Sequence, residues 1–286
     1  MPGAKRAASS ITPRSIVRPV AEMIKPYMCY ENKVYLSVVS PAYNEDANLP
    51  YLVDQVEQAM STLEKSWEFI IVDDGSKDNS LNVLKSLMAQ KPFLRVISLL
   101  SNSGQSAAIE AGIRNAHGQL IATIDSDLQN DPNEIPKMVR LMVEEKCDFV
   151  NGWRRQRNDP WMRLISTKIA NVVRNWLTKE SIHDSACGLK VFRRECFENM
   201  RLFRGMHRFL PTLAKIQGYS VLEVEVKHRP RTAGKTKYGV WNRVFCALRD
   251  TFAVRWMASR TVNYQSSEIT HNGASRKIGR ENQCDN

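Results

Sequence analysis

Four short apolar runs, Val34–Val39, Phe69–Val72, Val96–Leu100 and Leu120–Ile124, are each long enough for one buried strand and too short for a stable helix. Amphipathic helical patterns separate them. Leu49, Leu52, Val53, Val56 and Met60 follow the first run, Leu81, Val83, Leu84 and Leu87 the second, and Ala107–Ala116 the third. Strands and helices alternating at this spacing predict right-handed βαβ units. The expected fold is α/β, a Rossmann-like, mostly parallel sheet flanked by helices. Ligands of such sheets bind at the carboxyl ends of the strands. Each run here ends in a polar motif: Tyr43/Asn44/Glu45, Asp73/Asp74, Asn102/Gly104 and Asp125/Asp127. The four ends are expected to converge on one crevice.

The last motif is the most pointed. In extended chain, residues two apart face the same side, so Asp125 and Asp127 can address one hard cation together. Oxygen ligands of this kind suit Mg²⁺ or Mn²⁺, which keep waters and share a substrate diphosphate. The plainer reading is a capped turn before a helix starting near Pro132. Asp73/Asp74-Gly75-Ser76 likewise reads as a strand-to-turn signal, Asn102 and Gly104 as a turn, and Glu45 as a partner for the dipole of the helix after it.

A chain of 286 residues can bury a full core. Its formal charge of +11 is uneven: the region to about residue 150 is mixed, whereas 151–179 and 227–260 are strongly basic. That asymmetry points to a polyanionic partner. The six cysteines carry no Cys-x-x-Cys or zinc-finger spacing and read as reduced, cytosolic thiols. Residues 1–33 read as a flexible basic arm and 258–286 as a disordered tail. No stretch approaches the ~20 apolar residues that cross a bilayer. Between arm and tail, further strands are expected at Asp148–Gly152, Leu189–Phe192 and Val221–Val226. Helices are expected around Trp161–Trp176, at Met206–Ile216 and at Val240–Met257.

Pro41-x-Tyr43-Asn44-Glu45, Val72-Asp73-Asp74-Gly75-Ser76 and Asp125-x-Asp127-Leu128-Gln129 resemble glycosyltransferase family 2, with its GT-A nucleotide-diphospho-sugar transferase fold. Asp184–Arg194, Met206–Pro211 and His228-Arg229-Pro230-Arg231 with Gly234–Gly239 narrow the resemblance to the polyprenyl-phosphate branch. That branch includes dolichyl-phosphate mannosyltransferases and bacterial undecaprenyl-phosphate glycosyltransferases. The resemblance covers about residues 34–257. It implies a nucleotide and metal half (34–130) and an acceptor half (131–257) with a basic loop at 228–239. The implied activity is inverting, metal-dependent transfer of a sugar from a UDP- or GDP-sugar to a polyprenyl phosphate. The resemblance places Pro41, Tyr43, Glu45, Asp73, Asp74, Asn102, Asp125 and Ser126 on the donor, and Asp125, Asp127 and Gln129 on the metal. It places Arg154, Arg163, Arg229, Arg231, Lys235 and Lys237 on donor and acceptor phosphates. Asp125, Asp127, Arg163 and Asp184 are the catalytic candidates.

The chemistry agrees with these roles. A sugar hydroxyl acceptor needs a carboxylate base. A lipid monophosphate, with its second pKa about 6, is already a nucleophile at neutral pH and needs cations instead. Asp184 is then expected to position rather than to take a proton, His207 to pack, and Cys187 to fill the core. Gln105 stands where relatives commonly carry Lys. The competing readings are a family 2 enzyme with a hydroxyl acceptor in cell-envelope glycan synthesis, for which Asp184 is essential, and a basic nucleic-acid binder, which leaves the acidic strand ends unexplained. Nucleic acid is not expected as a partner. The expected setting is the cytoplasmic face of a membrane, with peripheral attachment to anionic lipid through basic, Trp-bearing helices, and beside a separate small membrane protein.

Overall fold

The computed structural model describes residues 34–155, 182–198, 200, 203–229, 240–260, 266–269 and 275–278. The expected arm at 1–33, the helix around Trp161–Trp176, Arg163, and the stretch with Arg231, Lys235 and Lys237 lie outside the described residues.

The apolar runs form β1 (Leu36–Ala42), β2 (Trp67–Asp73), β3 (Leu94–Ser98) and β4 (Leu120–Thr123), joined through α1 (Leu49–Met60), α2 (Ser80–Gln90) and α3 (Gln105–Arg114). There follow α4 (Glu134–Glu144), β5 (Phe149–Trp153), β6 (Lys190–Arg193), α5 (Glu195–Glu198), a 3-10 turn (Met206–Phe209), α6 (Leu210–Ile216), β7 (Val221–Glu225) and α7 (Val240–Ser259). The seven strands make one sheet in the order β3-β2-β1-β4-β6-β5-β7. The halves expected on either side of residue 130 therefore share one sheet.

All neighbouring pairs are parallel except those made by β6, which is antiparallel to both β4 and β5. This arrangement brings seven segments to one edge. The carboxyl ends of β1–β5 and β7 and the amino end of β6 all open there. Alternate strand residues face opposite sides: Val38, Phe69, Ile71 and Ala122 pack with α1, α2 and α4, while Val39, Ile70, Val72 and Ile121 pack with α3, α6 and Val254 of α7. Burial on both faces explains why these strands read as continuous apolar runs.

The tail differs from expectation. Ser266–Ile269 (β8) and Ser275–Ile278 (β9) pair as an antiparallel ribbon. Asn272-Gly273 lies between them in the sequence, the pair that most favours a tight hairpin.

Candidate active site

The loops after β1 and β2 are sewn together. Asn44, at φ 53°, donates its backbone N–H to Ser76 Oγ (2.9 Å), and its Oδ1 accepts the Lys77 N–H (2.8 Å). The Glu45 N–H reaches Ser80 Oγ at 2.9 Å, and its carboxylate accepts Asn48 Nδ2 at 2.6 Å, beside the start of α1. Pro41 is buried within β1, and Tyr43 is half-buried just past it.

Both carboxylates ending β2 are buried. Asp73 accepts the Ser76 N–H at 3.3 Å and braces the turn. Asp74 reaches across to the β3–α3 loop, accepting Ser103 N–H (2.7 Å), Gly104 N–H (2.9 Å) and Asn102 Nδ2 (3.1 Å). Asp74 thus holds the Asn102–Gly104 loop beside the end of β2. Gly75, at φ 66°, is required there, since a Cβ would lie 2.7 Å from the Ser101 carbonyl carbon.

Beyond β4 the chain turns rather than staying extended, yet burial still alternates, with Asp125, Asp127 and Gln129 half-buried and Ser126, Leu128 and Asn130 buried. Leu128 takes the left-handed region at φ 60° while its side chain stays in the core. A non-glycine residue held there is uphill and marks a segment fixed by its surroundings. The Asp127 carboxylate accepts the Gln129 N–H at 3.2 Å. Burial, with the Asp127 charge nearby, pushes the Asp125 carboxyl up to about 6, against the pull of Lys190, Arg154 and an Asn130 side-chain hydrogen bond. Gln105, on the first turn of α3, donates to Asp125 Oδ1 at 3.0 Å. Gly188 packs directly on the same carboxylate, whose Oδ2 would lie 2.1 Å from any Cβ added there.

Facing these acids is a cluster from β5, β6 and the loop before β6. Arg154 grips the buried Asp184 with a fork, Nε to Oδ2 at 2.7 Å and a second nitrogen to Oδ1 at 3.1 Å. Burial alone would lower the guanidinium's proton affinity, but the fork outweighs it and raises it. The arrangement fits the positioning role expected for Asp184. Glu223 of β7 fixes the loop from the far side, accepting Asn151 Nδ2, the Asp184 N–H and the His183 N–H at 3.1, 3.2 and 2.8 Å. Lys190 is buried and donates to the Cys187 carbonyl; burial lowers its pKa, opposed by the charges of Asp125 and Asp184. Cys187 is fully buried, as expected. His207 is bonded to Ser106 Oγ at 2.7 Å and is pushed down to about 3 by burial, helped by Arg208 and Lys190, so it is neutral.

Arg229, expected on the phosphates, is engaged with protein groups. It lies 2.9 Å from Asp131 and donates to Gln55 of α1 at 2.8 Å.

The donor set fits a divalent oxygen-seeking ion. Two carboxylates and one amide lie half-buried along one short segment, and burial, with the Asp127 charge nearby, already disfavours an ionised Asp125 that has no divalent cation beside it. Among the described residues no group of three His, Cys, Asp or Glu side chains gathers to form an all-protein cage. Such an ion would take its remaining ligands from water and phosphate, as Mg²⁺ and Mn²⁺ do. Gly188, Lys190, Glu223 and Asp131 were missed as site residues. Lys190 carried a signal, a lone cation inside a strand pattern; the others are recognisable only from contacts distant in sequence.

The family model for glycosyl transferase family 2 matches residues 37–201. A dodecaprenyl-phosphate galacturonate synthase of Rhizobium johnstonii is 37% identical over 84% of this chain and 71% of its own length. An undecaprenyl-phosphate 4-deoxy-4-formamido-L-arabinose transferase of Proteus mirabilis is 39% identical over 72% of this chain, which spans 63% of that relative. Among solved structures, a mannosyltransferase from Pyrobaculum calidifontis in complex with GDP-Man and Mn²⁺ has TM-score 0.58 at 19% identity, covering 80% of this chain and 65% of its own. Glucosyl-3-phosphoglycerate synthase from Mycobacterium tuberculosis with Mn²⁺ and UDP-glucose has TM-score 0.60 at 17% identity, covering 86% of each chain. These likenesses establish the GT-A fold.

Proposed function

The chain belongs to glycosyltransferase family 2, and from that premise we propose that it transfers a sugar from a nucleoside-diphosphate donor to a polyprenyl phosphate, with inversion and with Mg²⁺ or Mn²⁺. One observation carries the reading. Asp125, with the Asp127 charge nearby, lies within electrostatic reach of the buried Lys190 and the half-buried Arg154 at the same sheet edge.

In this mechanism Asp125, Asp127 and Gln129 would hold the ion, while Gln105 and Gly188 fix where Asp125 points. The ion supplies positive charge to the departing diphosphate, work that otherwise falls to a proton donor. Tyr43, Glu45 and the loop held by Asp74 form the donor side. A phosphate oxygen of the acceptor attacks the anomeric carbon as the bond to the diphosphate breaks. That nucleophile is already ionised, so no base is needed. Asp184 supports this division of roles, because both its oxygens are gripped by Arg154. Lys190 sets a positive charge against Asp125, while Arg154, forked to Asp184, holds the loop beside it.

Attachment to an anionic membrane surface is part of the proposal. No helix among the described residues is long and apolar enough to cross a membrane. On α7, Phe252 and Trp256 are 57% and 64% exposed, while Val254 packs inward and Arg249, Arg255 and Arg260 flank the aromatics. Such a face suits the interface of a bilayer.

The test is incubation of the protein with a panel of UDP- and GDP-sugars, Mg²⁺ or Mn²⁺, and undecaprenyl or dolichyl phosphate. A metal-dependent glycolipid product supports the proposal. Transfer only to hydroxyl acceptors, abolished by Asp184→Asn, would replace it. Binding to phosphatidylglycerol vesicles should weaken in Phe252→Ser/Trp256→Ser; unchanged co-sedimentation removes the assignment of that face.

A further inference from the structure

Arg229 is tied to the segment that follows Asp127. Its backbone N–H donates to the Gln129 carbonyl at 2.8 Å, and the preceding residue, His228, forms an antiparallel bridge with Asn130. Its side chain then reaches past this segment to Asp131 at 2.9 Å and to Gln55 at 2.8 Å. Asp131 is itself committed to the turn that starts α4, with Oδ1 accepting the Asn133 N–H at 3.1 Å and Asn133 Nδ2 at 2.9 Å. Burial alone would raise the Asp131 pKa, but the Asn133 bonds and the Arg229 charge hold it below the usual carboxylate range.

The strained residue lies immediately before this hold, between it and β4. Leu128 sits in the left-handed region, which costs an ordinary residue roughly 1–2 kcal/mol. A strained conformation persists only where its surroundings over-determine it. On the upstream side, β4 and the buried Leu128 side chain provide that determination. On the downstream side, Arg229 and Asp131 provide it, and α1 anchors Arg229 in turn through Gln55. The Arg229 side chain is 38% exposed and that of Asp131 12%, so this ion pair is better shielded than one in open solvent.

We propose that Arg229 is a positioning residue for the metal ligands. Paired to Asp131 and bonded to the Gln129 backbone, it keeps Gln129 in register with Asp125 and Asp127. The inference rests on the metal reading of those three residues and assigns Arg229 a task different from phosphate binding.

The experiment is Mn²⁺ titration of the full chain without donor, followed by electron paramagnetic resonance, for wild type, Arg229→Gln, Arg229→Lys, Asp131→Asn, the Gln/Asn double variant and Asp127→Ala. Outer partners of metal ligands typically change affinity roughly ten- to hundredfold when removed. Arg229→Gln and Asp131→Asn should each weaken Mn²⁺ binding within that range, and the double variant no further, because the two act as one unit. Arg229→Lys should recover part of the loss. Without metal, hydrogen exchange across residues 127–133 should be faster in Arg229→Gln than in wild type, with the thermal midpoint little changed. Wild-type Mn²⁺ affinity in Arg229→Gln, or fully additive losses in the double variant, would overturn the proposal. So would weaker UDP binding at saturating Mn²⁺ with Mn²⁺ affinity intact, the mark of a direct phosphate ligand. Asp127→Ala separates the two failures: if that variant binds Mn²⁺ normally, the metal reading itself is wrong.

Discussion

Gly188→Ala should separate the catalytic geometry from the stability of the fold. The added methyl would lie 2.1 Å from Asp125 Oδ2 and 2.4 Å from its Cγ. Carbon and oxygen approach comfortably only to about 3.3 Å, so the carboxylate oxygen must retreat by about 1.2 Å. The backbone at Gly188 is poorly placed to give way instead. Its carbonyl accepts Thr123 Oγ1 at 2.8 Å, and two residues on the chain enters β6, paired on both sides. The side-chain end therefore moves, breaking its 3.0 Å bond with Gln105 and its alignment with Asp127. For the fold this is cheap: loss of glycine freedom in the unfolded chain stabilises by about 0.4–1 kcal/mol where the backbone is compatible. For the reaction it is costly, since a 1 Å misplacement costs about a hundredfold, or about 2.7 kcal/mol of transition-state stabilisation. The assay is sugar transfer at saturating Mn²⁺, with a parallel Mn²⁺ titration and thermal melt. Gly118→Ala is the control, because its methyl would meet backbone, the Ser37 nitrogen at 2.5 Å and the Leu120 oxygen at 2.7 Å. It should lower the melting temperature, with the Asp125 carboxylate not directly displaced. A Gly188→Ala enzyme with wild-type turnover and Mn²⁺ affinity would refute the placement of Asp125 at the centre of the site.

Metal affinity should climb as pH rises through about 6, where Asp125 loses its proton. In the metal-free protein this group's contribution to stability should run the other way. A carboxyl raised in the folded state binds more protons there than when unfolded, so the Asp125 contribution is fully present below the unfolded value of about 3.9 and is lost as pH rises through about 6, a trend that Asp125→Asn should remove. Melts at stepped pH, with and without Mn²⁺, check both signs. Glu68→Ala should cost roughly 3–5 kcal/mol by leaving a buried network unpaired. That carboxylate accepts Ser37 Oγ, the His117 N–H and Arg95 at 2.6, 2.6 and 2.5 Å, at the end of the sheet opposite Asp125. Burial alone would raise its pKa, but these partners hold it below the usual range, so its contribution is present above about 4.3 and lost as pH falls through the folded value. Denaturant unfolding measures it. Arg154→Met should destabilise by a similar roughly 3–5 kcal/mol, since Asp184 remains buried without its partner. Arg154→Lys should restore stability better than turnover, because a point charge does not reproduce the fork; equal recovery of both would confine Arg154 to a structural role.

The sheet and its acidic edge were legible because both follow from local pattern. Strands buried on both faces write continuous apolar runs, and parallel βαβ units bring their polar ends to one side whatever the packing details. The direction of β6 was not legible, since nothing in Leu189–Phe192 distinguishes a strand entering the sheet from the opposite end. The antiparallel insertion is nonetheless what carries the loop with Asp184 and Gly188 onto the Asp125 carboxylate.

The basic side chains were the hardest to read, because a cation's partner is decided in space. Arg154 and Arg155 are neighbours in what looks like a charge run, yet Arg154 turns inward to Asp184 while Arg155 lies over Trp153 at 6.0 Å. Arg229, grouped by sequence with the loop lysines, is paired to Asp131, and Arg95 to Glu68. A count of positive charge therefore overstates the attraction the site offers. Among the described residues at the crevice, once Arg154 is set against Asp184 and Arg229 against Asp131, Asp125 and Asp127 face Lys190 with an excess of negative charge. Two phosphorylated substrates meeting such a surface would be repelled at close range. A divalent ion held by Asp125 and Asp127 would offset that negative charge as well as serve the proposed chemistry. Donor binding should accordingly depend on the metal even where no transfer follows, and calorimetric titration of UDP with Mn²⁺ or with EDTA measures that dependence directly.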